Sequence, residues 1–338
     1  MTLAVALPNW VGDAVMATPA LRALRGHFPG QRIVGVVRPF IRQVLEPNPW
    51  IDAYIETGKS SVGMRRAAKE LRRERVDTGI LMPNSFRSAF LLWMGRVRQR
   101  VGYDRGGRGF LLTDRLQPLR EHGRFVPASM ITTYMDLVAH LGAKSDTLRM
   151  ELFTTEADEA AAAAAYRQAG LDPQTTLLLC PGYAFGPSKG WPAEHWAAVI
   201  RTAKERFGLV SAILCGPSES AVATAIAQAA GGCPTFHDKG ITLAGARAVV
   251  RQARAMVAID SGLRHYAAAF NKPVVALFGP TDIQWTDTFH RKEVRLQAVP
   301  PCGPCQEPVC PIGTSECMWK IQPDEVTGAL ADALQRDR

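Results

Sequence analysis

Val257-Ala258-Ile259-Asp260-Ser261-Gly262-Leu263-Arg264-His265 is the stretch that decides the fold. A short apolar run meets a small polar turn and passes straight into a helical pattern. That is the βα step of a parallel sheet whose strands are covered on both faces. The backbone N–H groups at the start of such a helix have no partner within it, so the turn is a ready anion site. Asp260 has two readings there, a cap on the helix or a grip on a sugar hydroxyl. His265, one turn further, either reaches the anion or is a satisfied, half-buried histidine.

The same step recurs in both directions. Toward the C-terminal half, strands are predicted at 176–180, 210–215, 256–259 and 274–278, with helices at 193–207, 220–230, 244–253 and 263–270 between and after them. In the first half, strands at 3–7, 32–37 and 78–82 alternate with helices at 14–27, 64–75 and 86–97. A polar, Ala-rich helix at 154–169 separates the two series. The expected architecture is α/β: two doubly wound, Rossmann-like domains facing across a cleft, at 1–153 and 154–321, followed by a C-terminal helix at 322–338.

The composition fits a soluble globular protein. The chain has 338 residues, 47% hydrophobic and 21% charged. Its longest apolar run, Ala89-Phe90-Leu91-Leu92-Trp93-Met94, falls far short of the ~20 residues of a membrane helix. The start lacks the basic region of a signal peptide, and a cytoplasmic location is expected. Charge is unevenly spread. Residues 1–150 hold 23 Lys and Arg against 12 Asp and Glu, whereas residues 151–338 hold 17 against 19. The basic half is expected to meet an anionic partner, such as nucleic acid, anionic lipid or a phosphorylated glycan.

Three further loops end strands and so should reach the ligand edge of their sheets. Pro8-Asn9-Trp10-Val11-Gly12-Asp13 leads into the first helix. Gly12 lets the backbone approach a substrate, and Asp13 is either a helix cap or a general base. The loop lacks Gly-x-Gly-x-x-Gly, against a dinucleotide-dependent dehydrogenase. Cys180-Pro181-Gly182-Tyr183-Ala184-Phe185-Gly186-Pro187-Ser188-Lys189 presents one cation on a fixed turn, suited to a phosphate. Glu219, after Cys215-Gly216-Pro217-Ser218, is placed either at a ribose or at an exposed helix start. Finally, Cys302-x2-Cys305-x4-Cys310-x6-Cys317 clusters four thiols. Structural zinc, an iron–sulfur cluster or four reduced thiols packing a loop all fit that spacing.

Taken together, these motifs resemble the bacterial lipopolysaccharide heptosyltransferases of glycosyltransferase family 9, most closely the type II members. The likeness covers nearly the whole chain. It rests on Asn9-Trp10-Val11-Gly12-Asp13, Leu81-Met82-Pro83-Asn84-Ser85-Phe86-Arg87-Ser88-Ala89, the 180–192 loop, and Asp260-Ser261-Gly262-Leu263 with His265. The resemblance implies a GT-B fold and an inverting transfer from an ADP-heptose donor that needs no metal or other cofactor. It implies an anionic acceptor, the lipopolysaccharide inner core, and so an enzyme at the inner face of the cytoplasmic membrane that does not engage nucleic acid.

By the same resemblance Asp13 is the catalytic base, reversing the balance toward a cap. Asn9, Trp10, Gly12 and Arg87 meet the acceptor. Ser188, Lys189, Glu219, Asp260, Ser261, Gly262 and His265 meet the donor, with Asp260 on the heptose. Ala184, Gly190 and Arg264 depart from the residues common in relatives, and all three surround the donor pocket. Other nucleotide sugars or acceptors, a sugar-nucleotide epimerase and a basic nucleic-acid-binding protein are the alternative readings.

Overall fold

A computed structural model describes residues 1–236 and 240–337. The chain divides into two compact units. The first is Met1–Phe153 with Gln284–Asp287, and the second is Thr154–Ile283 with Thr288–Arg338.

Unit 1 is built on six strands: β1 (Thr2–Ala6), β2 (Arg32–Val37), β3 (Ala53–Glu56), β4 (Thr78–Leu81), β5 (Gln99–Tyr103) and β6 (Asp114–Leu116). They lie in the order β3-β2-β1-β4-β5-β6, all parallel. A separate small hairpin joins β7 (Arg120–Glu121) and β8 (Arg124–Phe125). The helices are α1 (Val11–Met16), α2 (Thr18–His27), α3 (Pro39–Leu45), α4 (Ser61–Arg73), α5 (Phe86–Met94) and α6 (Met130–Ala139). Ser60 and Ser85 cap α4 and α5 by accepting from the N–H groups of Gly63 and Ser88. The central strand β4 is wholly buried, as a strand covered on both faces must be. Strand order reverses between β1 and β4. In such sheets the loops leaving the two strands at the reversal splay apart and leave a crevice at their carboxyl ends.

Unit 2 has five parallel strands: β9 (Thr176–Cys180), β10 (Val210–Ile213), β11 (Ala255–Ile259), β12 (Val274–Phe278) and β13 (Glu293–Gln297). Their order is β10-β9-β11-β12-β13, so the reversal falls between β9 and β11. The helices are α7 (Glu156–Gln168), α8 (Ala193–Phe207), α9 (Ser220–Ala229), α10 (Leu243–Gln252), α11 (Gly262–Ala269), α12 (Glu316–Trp319) and α13 (Pro323–Gln335). α7 opens on a capping box between Thr155 and Asp158, and α8 closes on Gly208 in the left-handed conformation. α13 packs on α8 and β13, so residues 323–335 belong to the body of unit 2 and are not a separate appendage. Arg338 lies outside the described residues.

The expected helix at 14–27 is two helices broken at Ala17. The cause is Pro19, which has no N–H to give to the carbonyl of Val15. The Thr18 hydroxyl takes its place, donating to that carbonyl at 2.7 Å while accepting from the Glu151 N–H at 3.1 Å. Thr18 is fully buried. Thr18→Val should therefore leave a buried carbonyl and a buried N–H without partners. It is expected to lower the unfolding free energy by about 1–3 kcal/mol in urea titrations, with the slope unchanged.

Candidate active site

In unit 2 the reversal between β9 and β11 brings together the two loops that the motifs single out. The turn after β9 ends in a single 3₁₀ turn, Pro187–Lys189. The turn after β11 is Asp260-Ser261, with Ser261 as the N-cap residue of α11. Lys189 donates to the Asp260 carboxylate at 2.5 Å and to the Asp260 carbonyl at 3.0 Å. Both side chains are buried. An ammonium has three donors, so this arrangement leaves one N–H of Lys189 for another acceptor. The aromatic face of Phe185 lies 4.8 Å from the same nitrogen.

Asp260 is the hub of this arrangement. Thr281, in the loop after β12, donates to its Oδ2 at 2.8 Å, and Arg264 reaches its Oδ1 at 3.3 Å. Burial alone would push the carboxyl up. The Lys189 and Arg264 cations outweigh that and hold it well below the usual carboxylate range. Arg264 is itself completely buried. Its other nitrogen donates to Glu293 of β13 at 2.5 Å, and Thr288 donates to the second oxygen of Glu293. Burial opposes the guanidinium's charge, but Glu293 and Asp260 more than restore it. The order of charges is thus cation, anion, cation, anion through the buried edge of the sheet.

The other residues singled out in the sequence lie around this arrangement as follows. Asp260 precedes Ser261, the N-cap residue of α11, and its carboxylate oxygens are engaged by Lys189, Thr281 and Arg264. His265 is buried, with Nδ1 3.3 Å from the Ser261 carbonyl and Nε2 3.3 Å from Arg264. It supports the turn from behind. Ser188 is buried and donates to the Glu307 carbonyl at 2.7 Å, while its N–H donates to Pro308 at 3.1 Å. It fixes the Lys189 turn to the following loop. Glu219 folds back onto its own turn, accepting from the Gly216 N–H at 3.0 Å, and any side chain at Gly182 would collide with it. Ser261 and Gly262 remain half-exposed at the start of α11.

In unit 1 the reversal between β1 and β4 brings the Asn9–Asp13 and 82–87 loops to the same edge of the sheet. Trp10, 56% exposed, is the N-cap residue of α1, which leaves Asp13 as the third residue of the helix and not its cap. A carboxylate in a first helical turn is favoured in its ionised form. Asp13 is half-buried, and its field adds to burial in raising the Tyr134 phenol of α6. Gly12 is buried, and Asn9 accepts from Arg38 at 3.4 Å. Arg87 donates to the carbonyls of Gly58 and Ser60 at 2.9 and 3.0 Å, which ties α5 to the start of α4. The 83–85 loop is pinned by Arg108, a fully buried side chain that donates to Pro83, to Ser85 and to Asn84. Burial, with Arg105 nearby, lowers the Arg108 guanidinium to about 10.

A model of the family "Glycosyltransferase family 9 (heptosyltransferase)" matches residues 64–315. The chain belongs to glycosyltransferase family 9. It is 30% identical to lipooligosaccharide heptosyltransferase 2 of Haemophilus ducreyi over 88% of this chain and 89% of that protein. It is 29% identical to lipopolysaccharide heptosyltransferase 2 of Escherichia coli over 86% of each. Among solved structures it is similar to the E. coli ADP-heptose lipopolysaccharide heptosyltransferase II, with a TM-score of 0.80, 24% identity and coverage of 100% and 99% of the two chains. A family 9 glycosyltransferase from Veillonella parvula aligns with a TM-score of 0.84, 22% identity and coverage of 99% and 97%. The two Rossmann-like units are accordingly those of a GT-B glycosyltransferase.

Family 9 membership leaves the cysteines to be judged on geometry. Cys302, Cys305, Cys310 and Cys317 all line one small pocket with Ser188 and Pro280. Among the described residues, however, no group of three or more His, Cys, Asp or Glu side chains is arranged to hold a metal ion. The structural zinc that the spacing admits therefore finds no support. Three residues of the site, Thr281, Glu293 and Arg108, went unread in the sequence, and Arg264 was read only as a departure from relatives. Thr281 and Glu293 lie in a loop and an edge strand without local signal. Arg264 and Arg108 carried one: a charged residue set within an otherwise buried pattern, with Arg264 four residues from Asp260.

Two measurements test this electrostatic frame. Arg264→Met leaves Glu293 buried without its cation, and should cost about 3–5 kcal/mol of stability. Adding Glu293→Gln to the same chain should recover much of that loss. The second concerns His265, which burial and then the Arg264 cation push down to about 3. The unfolded chain takes up this proton near ~6.5, so the contribution is full above that pH and is lost as pH falls toward the folded value. Thermal melts of the wild type should drop between pH 6 and 4, and His265→Gln should flatten that drop.

Proposed function

We propose that the chain moves a heptose from an ADP-heptose donor to a sugar hydroxyl of the lipopolysaccharide inner core, with inversion and without a metal. The observation that carries this reading is the Lys189–Asp260 pair at the strand-order reversal of unit 2, beside the start of α11, in a family 9 chain similar to named heptosyltransferases 2.

In this reading unit 2 takes the donor and unit 1 the acceptor. The spare N–H of Lys189 and the backbone N–H groups at Ser261 and Gly262 receive the pyrophosphate. A lysine and a helix N-terminus supply the positive charge that other transferases take from a divalent cation. Asp260 orients Lys189, and His265 and Ser188 hold the two turns in place. Glu219, at the end of the neighbouring β10, is assigned to the ribose. Asn9, Trp10, Gly12 and Arg87 form the acceptor side, where the basic excess of residues 1–150 suits a phosphorylated glycolipid.

Asp13 is the base. It takes the proton of the acceptor hydroxyl as that oxygen attacks the anomeric carbon. The bond from the anomeric carbon to the β-phosphate oxygen breaks through an oxocarbenium-like transition state, and ADP departs with the charge. No helix of the described residues is long and apolar enough to cross a membrane. A cytoplasmic enzyme working on the inner leaflet is the setting this reading requires.

The test is ADP release on a truncated core glycolipid. Asp13→Asn should cut turnover by roughly 10²–10⁴-fold while calorimetric binding of ADP stays within twofold. Lys189→Ala should lose roughly 10²–10³-fold and weaken ADP binding as well. Turnover by Asp13→Asn close to that of the wild type would overturn the base assignment.

A further inference from the structure

The outward face of α5 is apolar as well as its inward one. Ala89 and Leu92 are fully buried beneath the helix, as expected of a helix lying on a sheet. Yet Phe86, Phe90 and Trp93, at helical spacings of four and three, stand together on the other side. Phe86 is 47% exposed and Trp93 52%. Their rings form one strip: Phe86 and Phe90 stack with centroids 5.9 Å apart, and Phe90 and Trp93 at 5.5 Å. Phe110, 69% exposed on its 3₁₀ turn, extends the strip beside Phe86 at 6.1 Å. Solvent-facing helix positions are ordinarily polar, and a contiguous aromatic surface of this kind marks a docking face.

The surrounding charge says what docks there. Residues 86–115 contain no Lys or Glu, and Arg96, Arg98 and Arg115 are exposed there, Arg98 beside Asp77, with Asp104 and Asp114 as the only acids of the stretch. Asp114 is already engaged by Thr113, Gln99 and His140. At the C-terminal end of α5, the exposed Arg72 donates to the Met94 carbonyl, and Arg96 follows directly. We infer that this strip is a membrane-docking face, which seats Phe86, Phe90, Trp93 and Phe110 at the headgroup level of an anionic bilayer with arginines at its rim. Aromatic rings with one apolar and one wet side prefer that depth, and anionic headgroups complement the arginines.

The alternatives fit less well. A second copy of the chain would bring the same arginines against each other. Single-stranded nucleic acid needs open ring faces for its bases, whereas Phe90 stacks with both Phe86 and Trp93. The inference is independent of the donor chemistry proposed above, because none of these four residues has a role in it.

The experiment is co-sedimentation of the full chain with phosphatidylglycerol-containing vesicles and with phosphatidylcholine vesicles. The wild type should bind the anionic vesicles at least tenfold better. Trp93→Ser with Phe110→Ser should reduce that binding at least tenfold, at an unchanged melting temperature by circular dichroism. The conservative Trp93→Phe should retain it. Wild-type protein that ignores anionic vesicles, or a double variant that binds as well as the wild type, overturns the inference. So does a strip whose loss abolishes dimerisation in sedimentation velocity, or oligonucleotide binding, while vesicle binding is unaffected.

Discussion

The ion pair between Lys189 and Asp260 is the interaction on which the arrangement of unit 2 depends. A buried ammonium or carboxylate alone is strongly disfavoured, because neither can recover its hydration inside the protein. Together they are tolerated when the carboxylate's remaining hydrogen-bonding capacity is met. Here it is met by residues from three other segments: Thr281 after β12, Arg264 on α11, and through Arg264, Glu293 on β13. The pair thereby fixes the relative position of four strand ends at once. Little freedom remains in the turn that carries Lys189.

Unit 1 uses a buried cation differently. Among the described residues Arg108 donates to carbonyl oxygens, to the Ser88 hydroxyl and to the Asn84 side chain, and to no carboxylate. Dipoles compensate a charge less completely than a carboxylate does, and the consequence is visible in the opposite directions of the two guanidiniums. Burial prevails at Arg108 and lowers it, whereas Glu293 and Asp260 prevail at Arg264 and raise it. Both side chains perform the same task of stiffening a loop at the point where strand order reverses.

The legible parts of the sequence were those with local signal. Buried parallel strands such as 176–180 and 255–259 read as apolar runs, and each is followed by a polar turn that cannot be buried without partners. The loops bearing Asp13, Lys189 and Asp260 were found for that reason. β3, β5, β6 and β13 were not, because edge or partly covered strands carry polar and charged residues, as in Glu293-Val294-Arg295-Leu296-Gln297. The break at Ala17 was missed because helical periodicity runs through it undisturbed, and only the missing N–H of Pro19 betrays it. Side-chain roles were hardest to read. Nothing near Asp260 in the sequence says that its carboxylate will be shared among residues 71 positions before it and 21 after it.

The loop after β13 has a meaning beyond its cysteines. The Glu307 and Pro308 carbonyls receive both the hydroxyl and the N–H of Ser188, Gln306 bonds the Pro280 carbonyl, and a side chain at Gly186 would run into Pro308. The Lys189 turn and the 305–308 segment are therefore one modular block, though more than a hundred residues separate them in the chain. A chimaera that imported the 181–190 loop from a relative, to change which sugar nucleotide is accepted, would inherit a turn with no seat. The two segments have to be transplanted, and in evolution must drift, as a matched pair.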